Sequence, residues 1–182
     1  EKKIWFNNKK TDFKSKRYIV KNINNKKVIK ILKGNNIKFI IVFGTRKINK
    51  EMIKIYRNKI FNLHGGNPEE FRGLDSHYWS IYHNNFNLYS CLHKINFKLD
   101  DGSIIFLEKI KLHKNIKIYQ LRLQNTLCCI KMTLKLLNLI NKKKKITFIK
   151  QKKIGNYYSF MPQEIKKIKE YKFNKKYEKK IF

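Results

Sequence analysis

The sequence predicts an α/β fold with a mainly parallel sheet. The first observation is a pair of short, nearly continuous apolar runs, IKFIIVFG at residues 37–44 and KIFNLHGG at residues 59–66, each ended by glycine. Such runs are typical of strands that are buried on both faces of a parallel sheet. The second observation is helical spacing of apolar residues at 24–33 and 49–58. Alternating helices and strands of this kind build α/β layers.

The first two predicted helices have recognisable ends and apolar faces. The helix at residues 24–33 has Asn24 or Asn25 as its N-cap and Gly34 after its end. Its apolar positions are Val28, Ile29, Ile31 and Leu32. The helix predicted at residues 49–58 has an apolar face made of Met52, Ile53 and Tyr56.

Downstream, the pattern changes from helix to hairpin. A short helix is predicted at residues 75–82, capped by Asp75 or Ser76. Strands are predicted at residues 89–96 and 103–111. The sequence LDDG between them is a hairpin-type turn signal, so these two strands are expected to pair.

The longest predicted helix covers residues 117–140 and precedes a lysine-dense tail. We expect its apolar stripe to face the core: Leu121, Leu123, Leu127, Ile130, Leu134, Leu137 and Ile140. The tail contains one aromatic island, GNYYSFMP. The chain is therefore divided into a core at residues 1–141 and a basic C-terminal extension at residues 142–182.

Composition limits the function without deciding it. The net charge of +32 favours an anionic partner, which is nucleic acid, a phosphorylated substrate or a membrane surface. Lysine, asparagine and isoleucine rise together, however, as AT-biased coding produces, and only five arginines are present. We therefore favour drift over a dedicated nucleic-acid surface. Three cysteines without a CxxC pair indicate neither a disulfide framework nor a zinc site. No apolar run suggests a membrane span and no signal peptide is apparent, so a cytoplasmic protein is expected.

Residues 61–83, FNLHGGNPEEFRGLDSHYWSIYH, form a stretch unlike the rest of the chain. No lysine occurs between Lys59 and Lys94, and four of the five histidines lie in that window. Asn62 and His64 are two apart, so on a strand they share one face, at the carboxyl end where open sheets bind ligands. There an amide can donate to a developing oxyanion while an imidazole manages a proton.

Three linked motifs resemble the folate-dependent formyltransferase family. They are Asn62-Leu63-His64, then PEEFRG at residues 68–73, then Asp100-Asp101-Gly102, 38 residues after the asparagine. The resemblance implies a Rossmann-like formyltransferase fold. Measured against the family, about half of the usual N-terminal βα unit before the FGT strand is absent, and Ser103 replaces the second acidic residue of the D-x-G-D motif.

The same resemblance implies residue roles. His64 would take or relay the proton of the attacking amine, Asn62 would stabilise the oxyanion and Asp100 would orient His64. No metal is implied. The co-substrate would be N10-formyltetrahydrofolate, held by a loop after the first strand and by the loop before LDDG. The residues of these two loops are Arg46, Lys47, Ile48, Ile95, Asn96, Phe97 and Leu99.

The acceptor implied by the resemblance is a nucleotide-linked amino sugar, as used in lipopolysaccharide O-antigen biosynthesis. GNPEEFRGLDSH and the island GNYYSFMP look closest to enzymes that formylate such sugars. Candidate acceptor contacts are Arg72 for a diphosphate and Trp79, Tyr78 or Tyr158 for stacking, with His77 nearby. Core packing is an equally good explanation of the aromatic residues, and a capping or packing role is the better explanation of His77.

Other classes stay open at this point. A methionyl-tRNA formyltransferase normally adds a C-terminal β-barrel domain, for which the 42 residues after the long helix are too few. A non-enzymatic RNA-binding protein would explain the charge, but not the spaced asparagine, histidine and aspartate. An inactive, truncated formyltransferase is a third alternative. A homodimer is also open, since no oligomer interface can be read from the sequence.

Overall fold

The computed structural model describes residues 15–178. The two ends of the predicted core and extension, residues 1–14 and 179–182, lie outside this range. The described strands are β1 (Ile40–Phe43), β2 (Ile60–His64), β3 (Phe71–Gly73), β4 (Tyr89–Lys94), β5 (Ile104–Lys109) and β6 (Asn156–Tyr158). The central sheet has the order β1-β2-β4-β5, and β3 pairs with β6 in a second, smaller sheet.

The described helices surround these sheets. They are α1 (Lys26–Gly34), α2 (Lys50–Ile55), α3 (Ser76–Tyr82), α4 (Leu121–Asn141) and α5 (Gln163–Tyr177), with a 3-10 turn at Ile118–Gln120 before α4. The side chains of Asn25 and Asn49 accept hydrogen bonds from the backbone of the first turns of α1 and α2. Asp75 precedes α3 in a left-handed conformation and makes no side-chain cap bond. None of the helices within residues 15–178 is long and apolar enough to cross a membrane.

The α/β class is confirmed, but the central sheet is mixed where a mainly parallel one was predicted. β1 and β2 are parallel, whereas the β2–β4 and β4–β5 pairs are antiparallel. The reason lies in the path of the chain, because β4 begins beside the end of β2, with Cys91 opposite His64. The strand must therefore run back along β2, and the LDDG turn then adds β5 as a hairpin partner.

The apolar stripe predicted for α4 does not face the core. Among its members Leu121 is buried, but the exposed fractions are 49% for Leu127, 50% for Ile130, 61% for Leu134 and 48% for Leu137. A second row at helical spacing packs instead against Phe61, Leu92 and Ile105 of the sheet, and its members are Cys129, Met132 and Leu136. The helix thus has two apolar faces, and the face that packs against the sheet is not the one predicted from the sequence.

The segment after residue 141 packs against the core. Ile149 forms a bridge with Ile104 of β5, and β6 adds a parallel strand to β3. Phe173 of α5 is fully buried beside Ile81 and Leu88. The division of the chain at residue 141 stays a prediction, but the segment that follows it is joined to the core through two sheets and a helix.

Candidate active site

The end of β2 brings Asn62 and His64 to one face of the sheet. β2 lies between β1 and β4, so its apolar residues are buried and its two polar side chains are held rigidly. His64 is buried and Asn62 is half-buried. Gly66 follows closely, and a Cβ built there would lie 2.7 Å from the Ser76 Cβ and 3.0 Å from the His64 Nε2. A side chain at that position would therefore displace the imidazole.

Asp100 reaches the same place from the turn between β4 and β5. Its backbone is left-handed, with φ of 49°. One carboxylate oxygen accepts a hydrogen bond from Asn62 Nδ2 at 3.1 Å, and the other accepts one from the Gly73 backbone nitrogen at 2.8 Å. The second oxygen also lies 3.6 Å from His64 Nδ1. Asp100, which is distant in sequence, therefore meets Asn62 and His64 at one centre.

The hydrogen bonds of His64 fix its tautomer. Nε2 lies 2.9 Å from the carbonyl oxygen of Phe71, which can only accept, so Nε2 carries the hydrogen. Nδ1 then has its lone pair toward the Asp100 carboxylate. Burial lowers the pKa of His64 and the nearby His93 lowers it further, while the Asp100 charge partly opposes both. A neutral imidazole with a free lone pair is a general base.

Asp100 itself stays ionised. Burial opposes its charge, but hydrogen bonding from His93, the charge of His64 and the Gly73 N–H together outweigh burial and hold the pKa of Asp100 well below its ordinary range. The site thus combines an imidazole whose pKa is lowered with a carboxylate that stays ionised, an arrangement typical of acid–base sites. Within residues 15–178 no group of three or more histidine, cysteine or acidic side chains is placed to hold a metal ion.

His93 is the residue at this centre that sequence reasoning missed. Its Nε2 lies 3.3 Å from Asp100 Oδ1 and 3.2 Å from Asn62 Nδ2. Its Nδ1 lies 2.9 Å from the Lys94 carbonyl oxygen. The signal that would have found it is antiparallel pairing, because His93 stands opposite Asn62 in the register of β2 and β4.

A cavity of about 1080 Å³ opens over this centre. Asn62, His64, His93 and Asp100 form part of its wall. Six of the seven residues predicted to hold folate also line it, namely Arg46, Lys47, Ile48, Ile95, Asn96 and Leu99. Phe97 lies on the same loop as Ile95, Asn96 and Leu99, but it does not line the cavity, and its side chain is 49% exposed. The structure therefore brings the two predicted folate loops to the wall of the same cavity.

Of the five candidate acceptor contacts, His77 and Tyr78 line the cavity. Burial lowers the pKa of His77 to about 4, and the ring donates through Nε2 to the Tyr89 carbonyl oxygen at 2.7 Å. Arg72 donates instead to the carbonyl oxygens of Gly155 and Leu99, at 2.7 Å and 3.2 Å. This guanidinium braces two loops, so the geometry does not support its assignment to a diphosphate.

Trp79 and Tyr158 also lie outside the cavity wall. They stack on each other with ring centroids 4.8 Å apart. The indole N–H donates to the Ser159 carbonyl oxygen at 2.9 Å, and the Tyr158 hydroxyl lies 3.0 Å from His83 Nε2. These contacts attach β6 to α3, which is the packing role that the sequence reading weighed equally.

Other aromatic and basic side chains also line this cavity. Tyr119 and Phe160 are 53% and 69% exposed, yet both line the cavity, together with Arg122 and Lys166. No periodicity marks these residues in the sequence. Phe160 lies in the aromatic island already noted, whereas Tyr119 lies within the predicted long helix, in the 3-10 turn before α4, and gave no signal.

The protein has an α/β fold, and its site combines an amide donor, a buried imidazole and a carboxylate near that imidazole. Such a set of groups suits group transfer at a carbonyl carbon. The chain belongs to the formyl transferase family, whose N-terminal domain model matches residues 1–124. It is similar to the formyltransferase PseJ of Anoxybacillus kamchatkensis, at 27% identity and a TM-score of 0.63. That comparison covers 71% of this chain and 68% of that one.

Two curated relatives match over shorter stretches. The bifunctional polymyxin resistance protein ArnA of Wigglesworthia glossinidia brevipalpis is 34% identical over 116 residues, which is 62% of this chain and 18% of that protein. The methionyl-tRNA formyltransferase of Finegoldia magna is 28% identical over 102 residues, or 56% of this chain and 33% of that protein. The chain thus spans a third or less of the length of either relative.

Proposed function

We propose that this chain transfers a formyl group from N10-formyltetrahydrofolate to the amine of a nucleotide-linked amino sugar. The observation that carries the proposal is the meeting of Asn62, His64 and Asp100 at the floor of one large cavity. Family membership and the relative PseJ support it, since that structure is a complex with a UDP-linked formamido sugar and tetrahydrofolate. As the resemblance of the sequence motifs implies, we place the reaction in the cytoplasm and in O-antigen biosynthesis.

The folate side of the cavity fits a flat, partly apolar ligand. Phe43 and Leu99 are 52% and 37% exposed, and both side chains line the wall there. Gly44, with φ of 62°, begins the loop that continues through Arg46, Lys47 and Ile48. Large apolar side chains that are exposed only to a cavity favour ligand binding. When bound, N10-formyltetrahydrofolate supplies the activated formyl carbon, and the backbone of Arg46, Lys47 and Ile48 would hold its pterin.

The three polar residues then divide the work at the reacting centre. His64 accepts the proton of the attacking amine on Nδ1, because Nε2 is already committed to Phe71. Asp100 stabilises the resulting imidazolium at 3.6 Å. Asn62 donates an amide hydrogen to the oxyanion that develops on the formyl oxygen. His64 then returns the proton to the N10 nitrogen of the folate as the bond between that nitrogen and the formyl carbon breaks, the carbonyl re-forms and tetrahydrofolate leaves. Such donors and bases each contribute about 100-fold or more to rate.

The part of the cavity wall formed by Tyr119, Phe160, Arg122 and Lys166 suits an acceptor that carries a base and phosphates. Tyr119 and Phe160 offer exposed aromatic faces for stacking, while Arg122 and Lys166 bring positive charge to the same cavity. Lys166 also pairs with Asp75 at 2.7 Å, so an arriving phosphate would share this ammonium. We assign the nucleotide of the acceptor to this wall, in place of Arg72, Trp79 and Tyr158.

The proposal is tested by incubating the chain with N10-formyltetrahydrofolate and a panel of UDP-, dTDP- and GDP-linked amino sugars, with mass spectrometry of the products. Methionyl-tRNA is included because one relative is a methionyl-tRNA formyltransferase. We expect formylation of a sugar, its loss in His64→Ala, and its retention in His113→Ala, which changes an exposed histidine. Formylation of the tRNA alone would replace the proposed acceptor, and turnover that survives His64→Ala would overturn the mechanism.

A further inference from the structure

The turn that carries Asp100 is held from outside the catalytic centre by Gln151. The side-chain nitrogen of Gln151 donates to the carbonyl oxygens of Asp100 and Gly102, both at 2.9 Å. Arg72 donates to the carbonyl oxygen of Leu99 at 3.2 Å, on the preceding residue. The turn is therefore tied down on either side of the catalytic carboxylate.

Gln151 has a fixed anchor of its own. Two residues earlier, Ile149 forms a bridge with Ile104 of β5. One residue later, the Lys152 backbone nitrogen donates to Glu69 Oε1 at 2.6 Å. The side chain thus projects from a backbone segment that is held at both ends, which makes it a rigid support for the turn.

The two hydrogen bonds that the Gln151 amide donates explain why a polar side chain occupies this position. Its Oε1 is buried and has no hydrogen-bond partner among the described residues. A buried oxygen without a partner destabilises a fold, and an apolar side chain of the same shape would avoid that cost. Packing alone therefore does not explain a glutamine at this position, whereas the two bonds to the turn do.

The turn needs such support because its backbone is strained and crowded. Asp100 is left-handed, with φ of 49°, a conformation that costs free energy in residues other than glycine. At Gly102 an added Cβ would lie 1.5 Å from the Lys94 carbonyl oxygen, so the turn is pressed against β4. Without restraint, a turn of this kind would relax and move the carboxylate away from His64.

We propose that Gln151 is a positioning residue that sets the distance between the Asp100 carboxylate and His64. This inference rests on the proposed role of Asp100 in formyl transfer. It makes the lysine-dense C-terminal segment part of the catalytic apparatus, because the residue that fixes the carboxylate comes from beyond α4. Gln151 is not itself a lining residue of the cavity, and both of its hydrogen bonds go to backbone carbonyl oxygens of the turn, so it acts through the turn.

The test compares Gln151→Leu and Gln151→Met with Gln163→Leu, which changes an exposed glutamine in the same segment. The first readout needs no substrate: the pKa of His64, followed by NMR titration of labelled histidine. Asp100, His93 and His77 are the titratable groups around this ring. Since the carboxylate raises the pKa of His64, its retreat should lower that pKa toward the value found in Asp100→Asn.

The second readout is kinetic. A misplacement of about 1 Å costs on the order of 100-fold in rate, so we expect kcat to fall by that factor in both Gln151 variants while KM for folate changes little. Gln163→Leu should match the wild type. An unchanged pKa of His64 in folded Gln151→Leu and Gln151→Met would overturn the inference. If the wild type is inactive but the pKa of His64 still falls in the Gln151 variants, only the proposed function is overturned.

Discussion

His64 Nδ1 lies 3.6 Å from the Asp100 carboxylate, while the opposite nitrogen of the ring donates to the Phe71 carbonyl oxygen. The separation is longer than a hydrogen bond, so the neutral ring makes no bond to the carboxylate. A proton that arrives on Nδ1 converts this contact into an ion pair in a buried site, where charges interact strongly. Asp100 is therefore expected to stabilise the proton-bearing state rather than the resting state.

Asp100→Asn tests that relationship directly. The acid limb of the pH–rate profile for kcat/KM reports the pKa of His64 in the free enzyme. In the wild type it should lie below 6.5, because burial lowers this pKa. Removing the carboxylate removes the charge that raises the pKa, so the limb should move to still lower pH. The plateau rate should fall by roughly 100-fold or more, since the imidazolium loses its partner.

The neutral side chain keeps the shape of Asp100, so folding is not the expected cause of the loss. Circular dichroism of Asp100→Asn checks this, and Asp101→Asn is the matched control on the neighbouring turn residue. An acid limb that moves to higher pH in Asp100→Asn would show that the carboxylate does not govern His64.

Asn62→Ala removes the amide that we assign to the oxyanion. Loss of one such donor typically lowers kcat by about 100- to 1000-fold, with little change in KM. The matched control is Asn138→Ala, at an exposed position of α4. A variant in which KM for folate rises while kcat is unchanged would mean that Asn62 binds the ground state and not the transition state.

His77 makes folding stability depend on pH. Its pKa falls from 6.5 to about 4 in the folded chain because of burial. As pH drops below 6.5 the unfolded chain binds the proton first, so stability decreases between about 6.5 and 4. Urea unfolding across this range should show a flatter pH dependence in His77→Gln, whose amide can still donate to the Tyr89 carbonyl. His113→Gln should keep the wild-type pH dependence. If the free energy of unfolding varies with pH equally in His77→Gln and His113→Gln, His77 is not the source of this dependence.

Local rules predicted which residues meet at the candidate centre. Strand alternation alone places Asn62 and His64 on one face, and the spacing to Asp100 completes the resemblance to a family. Helix caps are equally local, and Asn25 and Asn49 cap α1 and α2. These inferences depend on one segment at a time, so they did not need the tertiary structure.

The structure departs from the expectations at residues whose contacts come from a distant segment of the chain. His93 joins the centre only through the register of β4 against β2. Trp79 and Tyr158 were candidate acceptor contacts weighed equally against core packing, and no sequence pattern links the two rings that stack in the structure. Arg72 has the chemistry for a phosphate, but two carbonyl oxygens from distant loops occupy its donors. Composition and spacing do not encode such pairings.

The two faces of α4 give a clean test of the structure against the sequence reading. Leu136 is fully buried against the sheet, whereas Leu134, two residues earlier, is 61% exposed. Leu136→Ala should lower the free energy of unfolding by about 2–5 kcal/mol. Leu134→Ala should stay within about 0.5 kcal/mol of the wild type. Both substitutions remove the same atoms from the same helix, so urea unfolding compares burial alone. Equal losses would mean that the outer face is covered in solution, and a dependence on protein concentration would then identify a second copy of the chain as the cover.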